Sequence, residues 1–154
     1  MIASPLSRRL LSIAIFFGSS MLLHLLWENM QAPLFVGFES LSQHFWICLK
    51  ATATGDMLFM LIIYATLALI HRDALWIAQR SSYTHPATWV LPILIGILLA
   101  VNMELWAVHV DHRWVYENTM PLIPVLQIGL TPILQMIVVP ILTILISSRF
   151  LLRI

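Results

Sequence analysis

Charged residues are scarce in this sequence. Asp, Glu, Lys and Arg make up 10% of its 154 residues, hydrophobic residues make up 60%, and the mean hydropathy is +0.93. Water-soluble domains carry about a quarter charged residues, so this balance excludes an ordinary soluble domain and points to an integral membrane protein. Cysteine is nearly absent. The lone Cys48 excludes an internal disulfide and any zinc or iron–sulfur site built from several thiolates. With a net charge of +1 there is no basic excess to suggest a nucleic-acid partner. The chain also lacks an alternating strand pattern, an internal repeat, a low-complexity tract, a phosphate-binding loop and a nucleophilic triad. Nothing in it marks a second domain, so residues 1–154 read as one membrane domain.

What the chain does have is four long apolar runs, at about 10–28, 45–70, 88–108 and 121–148. Each meets the roughly 20 residues that a helix needs to cross a bilayer. The expected fold is all-α, a polytopic bundle of four transmembrane helices. The fourth run holds Pro121, Pro124, Pro132 and Pro140, which predicts a re-entrant or kinked start before the span proper. "SRRLLS" near the amino terminus has a secretory flavour, but no small-residue cleavage site follows it, so an uncleaved first span is expected.

The basic residues orient the chain. Arg8 and Arg9 precede span one, Arg72 and Arg80 lie between spans two and three, and Arg149 and Arg153 follow span four. Of the eight Lys and Arg residues, Lys50 and Arg113 alone fall on the other side. Both termini are therefore expected in the cytoplasm of a bacterial inner membrane.

In that topology nearly every polar residue near a span falls in the outer half. "HLLWENMQAPLF" closes span one, "LKATATGD" opens span two, and "NMELWAVHVDHRWVYENTMP" closes span three and continues beyond it. At 1.5 Å per residue, Asp56 lies about 15 Å below the outer surface. His24 and Glu28 stand four residues apart on one helix face, as do Thr52 and Asp56. Charges inside a bilayer are retained where they face the bundle interior or water. The expectation is an outer-half cavity with Glu28, Glu104, His24 and Asp56 as catalytic candidates. Trp27, Asn29, Gln31, Lys50, Asn102, Trp106, Tyr116, Gln127 and Gln135 are the candidates for binding substrate. Alternative readings place Glu28 in interfacial water, Trp27 in an aromatic belt, His24 in the core, and Lys50 either snorkelling to the surface or in an ion pair with Asp56 or Glu104. "DHRWVYEN" reads as a solvated outer loop with Trp114 and Tyr116 at the interface.

These segments resemble a group of small bacterial four-span inner-membrane proteins. The shared pattern is W-E-x-x-Q-x-P-L, then A-T-x-G-D, and R-W-x-Y-x-x-x-M-P ahead of G-L-x-P-x-L-Q, here "WENMQAPLF", "ATATGD" with one residue more between the Thr and the Gly, "RWVYENTMP" and "GLTPILQ". The resemblance implies the four-span fold and no particular activity. A second similarity is to the emopamil-binding and sterol-isomerase family, through its H-x-x-x-E pair, matched by His24 and Glu28, and an acidic position matched by Glu104. That family's Asn and Trp before a Pro have no counterpart, because Ile133 and Met136 precede Pro140. Membrane carotenoid cyclases also use intramembrane carboxylates, but their paired-Glu motif is absent. The similarity implies acid–base chemistry on an isoprenoid-like lipid, with no cofactor or metal.

Three function classes follow. The first is an intramembrane acid–base enzyme or binding protein for a lipid or isoprenoid-like molecule, in which Glu28 and Glu104 give and take the proton and Lys50 or His24 stabilises charge. The second is a small proton-coupled carrier, to which Asp56 at mid-depth is suited. The third is a haem or metal protein. It would use His24 and His109, or a His24, Glu28, Glu104 and Asp56 set, although no strong ligand motif is present. A homo-oligomer fits the second class, because the inner halves of the spans look almost wholly apolar.

Overall fold

The computed structural model describes residues 5–153. The side chains of Pro5, Leu152 and Arg153 lie outside the described residues, and Arg153 is one of the basic positions used for orientation. Among the described residues four helices are long and apolar enough to cross a membrane, over Leu6–Leu34, Leu41–His71, Ala87–His109 and Leu130–Leu151. They correspond to helix α1 (Pro5–Gln31), the paired helices α2 (Leu41–Ala51) and α3 (Met57–His71), helix α4 (Ala87–His109) and helix α5 (Leu130–Arg153). We call proximal the end that holds the start of α1, the end of α5 and the 72–86 connection, and distal the opposite end.

The expected spans lie inside these helices, with one correction. Residues 121–129 are neither a re-entrant helix nor a kinked start. They form a short hairpin in which strand β1 (Leu122–Ile123) pairs antiparallel with strand β2 (Ile128–Gly129). Pro121 and Pro124 explain the change, because proline disfavours a helix over the residues just before it. Pro132 falls in the first turn of α5, where a missing N–H costs nothing.

Small side chains decide how closely the helices approach. Thr88, Pro92, Gly96, Ala100 and Glu104 recur every four residues along α4, and all are buried. This is the small-residue face that lets membrane helices pack backbone to backbone. Pro140 has no N–H, so it leaves the Met136 carbonyl without its helical donor. That carbonyl occupies the position that a Cβ at Gly96 would take.

The second span is not a continuous α-helix. Thr52–Asp56 forms a π-helical segment between α2 and α3. The wider turn inserts extra backbone, as π-bulges do, commonly at functional sites. On either side of it α2 packs mainly on α1, whereas α3 packs on both α4 and α1.

At the proximal end the 72–86 connection folds into two 3-10 turns, Trp76–Ala78 and Arg80–Thr84. Trp76 is fully buried and packs against Phe16, Tyr64, Tyr83 and His71. Its indole N–H bonds the Tyr64 carbonyl at 3.3 Å, and the Tyr83 hydroxyl bonds the Ile77 carbonyl at 2.6 Å. This aromatic plug leaves the polar groups of the distal half to a separate cavity.

Candidate functional site

The distal half encloses a cavity of about 910 Å³ between α1, α2, α4 and α5. Ligand pockets commonly occupy a few hundred to 1,000 Å³, so this one has room for a whole small molecule. Its lining includes Glu28, Gln31, Lys50, Asp56, Glu104 and Gln135. Along one flank the lining residues Ile47, Ala51, Thr54 and Leu58 are all exposed. The cavity therefore opens sideways along the second span, while its acidic residues lie deeper.

Gln135 is the hub of the polar wall. Its Nε2 lies 2.9 Å from His24 Nδ1 and 3.2 Å from Asp56 Oδ2. Its Oε1 accepts from Gln31 Nε2 at 3.1 Å, and Gln31 also donates to Glu28 Oε1 at 2.9 Å. Two amides thus link Glu28 on α1 to Asp56 in the π segment. An amide N–H₂ donates to both of its neighbours, so His24 Nδ1 is an acceptor and the ring proton sits on Nε2. His24 Nδ1 and Asp56 Oδ2 are 3.6 Å apart. The π segment is what turns Asp56 toward this group, with the Thr52 hydroxyl beside it.

Glu104 anchors a second group. The Tyr116 hydroxyl donates to its carboxylate and accepts from the Gly129 backbone N–H at 2.9 Å. Burial, together with the Glu104 carboxylate, pushes the Tyr116 phenol well above its ordinary pKa, which keeps it a donor. In the segment 110–121, Asp111, His112, Arg113, Val115, Glu117 and Asn118 are exposed, as a solvated loop requires, while Trp114 and Tyr116 are half-buried, and the segment is tied down at its middle. Val36 N–H bonds the Val115 carbonyl and Glu117 N–H bonds the Leu34 carbonyl, both at 2.9 Å, which ties it to the end of α1. Phe35 packs on Trp114 and Tyr116, at centroid distances of 6.2 and 5.6 Å. Backbone bonds and ring packing fix the position of this loop, while its polar side chains stay exposed.

Several sequence candidates lie elsewhere. Asn102 and Trp106 are exposed and do not line the cavity. Each is two residues from Glu104, and a two-residue step carries a side chain to the opposite side of a helix. The Asn102 amide donates to the Leu98 carbonyl at 2.7 Å, and Trp106 lies under the Arg113 guanidinium, 4.6 Å from it. Trp27 and Asn29, one residue either side of Glu28, are turned out of the cavity as well, and Asn29 bonds the Leu25 carbonyl at 2.7 Å. Gln127 adopts φ 53° in the hairpin loop, where its backbone N–H bonds the Ile123 carbonyl. Lys50 reaches the cavity rim. Among the described residues it forms no ion pair with Asp56 or Glu104; Asp56 instead lies 3.6 Å from His24, and Arg113 pairs with Asp111. The His109 ring, considered as a haem ligand, bonds the Leu126 carbonyl at 3.0 Å instead. Among the described residues no three His, Cys, Asp or Glu side chains group to hold a metal.

Other lining residues were not read from the sequence as site residues: Phe35, His44, Cys48, Arg113 and Trp114. The aromatic pair "RWVY" opposite "PLF" was the available signal, since aromatic residues in two connections at one end of a bundle can pack on each other. Comparison of the chain with protein-family models, with curated proteins and with solved structures returns no match.

Proposed function

We propose that this is a multi-pass protein of a bacterial inner membrane, with both termini in the cytoplasm. In this reading its distal cavity receives a lipid or isoprenoid-like molecule from the outer leaflet and exchanges a proton with it. One observation carries the proposal. The cavity joins an exposed apolar flank, Ile47, Ala51 and Leu58, to a carboxylate-rich depth formed by Glu28, Asp56 and Glu104. An apolar tail suits the flank, and a polar or unsaturated head placed among the carboxylates meets proton donors and acceptors in a site sheltered from bulk water. Glu28 and Glu104 are the exchanging groups, with Tyr116 orienting Glu104 and Gln31 orienting Glu28.

Native mass spectrometry of the protein extracted in mild detergent tests this. We expect an apolar small molecule to remain bound to the wild type and to be lost from Ala51→Trp, which fills the exposed flank without disturbing a buried contact. A wild type free of any apolar molecule, or an Ala51→Trp variant that keeps it, would overturn the proposal. A second reading, a proton-coupled carrier, draws on Asp56 and His24 sharing Gln135 deep in the bundle. Transport of the bound molecule across a vesicle membrane without chemical change would favour it.

A further inference from the structure

Two buried rows of side chains meet along the α1–α5 interface. On α1, Ser12, Phe16, Ser20 and His24 recur every four residues, and none is more than 1% exposed. On α5, Gln135, Val139, Thr143 and Ser147 repeat the spacing, with none above 2%. The helices are antiparallel and His24 touches Gln135, so each step back along α1 is matched by one forward along α5. Ser20 then stands level with Val139, Phe16 with Thr143, and Ser12 with Ser147. Neither row is polar throughout, yet every level holds at least one polar side chain.

The partners of these groups are uneven. The Ser12 and Ser147 hydroxyls donate to the Arg8 and Thr143 carbonyls at 3.1 and 2.9 Å. Between them and Gln135, the Ser20 Oγ, Thr143 Oγ1 and His24 Nε2 atoms are buried with no hydrogen-bond partner among the described residues. Buried polar groups are nearly always hydrogen-bonded, and where protein supplies no partner, ordered water usually does. Levels four residues apart are about 6 Å apart along a helix. One water making two hydrogen bonds of about 2.8 Å spans that interval.

We infer that a single file of water bridges these levels and carries protons between the proximal face and the His24–Asp56 pair. The path meets the distal cavity at Asp56, a lining residue, so that water file and cavity together span the bundle. Rotation of the Gln135 amide away from His24 Nδ1 frees the lone pair of that nitrogen. Protonated Asp56, 3.6 Å away, then closes on the ring and gives up its proton as the Nε2–H passes to the first water, so one proton enters the ring and one leaves. Return of the ring to its starting tautomer resets the step, and the opposite tautomer serves the opposite direction. The Ser20 and Thr143 hydroxyls accept from one water and donate to the next.

The inference rests on the membrane reading above and makes no use of the ligand's identity. The test uses proteoliposomes carrying a trapped pH dye and an imposed potassium diffusion potential. Wild-type protein should admit protons, and the Ser20→Ala, Thr143→Val double variant should slow entry at least tenfold with an unchanged melting temperature. Thr143→Ser, which keeps the hydroxyl, should conduct like wild type. Vesicles whose protein resists carbonate extraction yet admit no more protons than empty ones would overturn the path, as would a double variant that conducts like wild type. Protein that carbonate strips away would overturn the membrane reading, and the path with it.

Discussion

Single side chains at this site matter for how many elements they join. Gln135 connects α1, α5 and the π segment, while Tyr116 connects α4 to the β2 strand. Removing the Tyr116 hydroxyl leaves a buried backbone N–H and a carboxylate oxygen without a partner, a loss of about 1–3 kcal/mol. Tyr116→Phe should therefore lower the melting temperature in detergent, read by circular dichroism. The pH dependence has a definite sign. Burial pushes the phenols of Tyr83 and Tyr116 upward, so the folded state favours their protonated forms. That stability is complete below the unfolded tyrosine pKa of about 10 and is lost as pH rises above it. Wild-type protein should lose stability at alkaline pH more steeply than Tyr116→Phe does. Equal slopes would show that Tyr116 is not a protected donor.

Among whole elements, the contact of α4 with α5 is set by two residues that break helix rules in compatible ways. Pro140 frees the Met136 carbonyl, and Gly96 gives that carbonyl room. Because the obstacle to any larger residue is backbone, a side-chain adjustment cannot relieve it. Gly96→Ala should destabilise the protein by about 1–3 kcal/mol through overpacking. Trimming the neighbouring side chain with Met136→Ala should not rescue it, as a thermal shift assay of the single and double variants would show. The second span depends on a different irregularity. The π segment was not legible in "ATATGD", because Thr, Ala and Gly permit a widened turn without demanding one. The extra backbone falls where packing changes, between α2 on α1 and α3 on both α4 and α1.

For the whole molecule, orientation is the property that composition bears on most directly. Cysteines at Glu39 and Arg80 in a Cys48→Ser background should differ in intact cells. A membrane-impermeant maleimide should reach position 39 and miss position 80, and labelling at 80 would refute cytoplasmic termini. Length and hydropathy alone determined that four segments can cross a bilayer and roughly where each lies, except for the start of the fourth, since burial in hydrocarbon is a summed property of many residues. The clustering of acidic groups at one end was legible for the same reason, because depth along a span follows from residue count. Rotation about each helix axis does not. It placed Glu104 in the cavity wall and turned Asn102 and Trp106 away, and it lined up Ser12, Ser20, Thr143 and Ser147 within segments that look almost uniformly apolar when read as strings. Such facing is settled by which small residues let two backbones meet, and those pairs lie far apart in the chain. Gln31 and Gln135, joined across 104 positions, became a link between carboxylates through that packing.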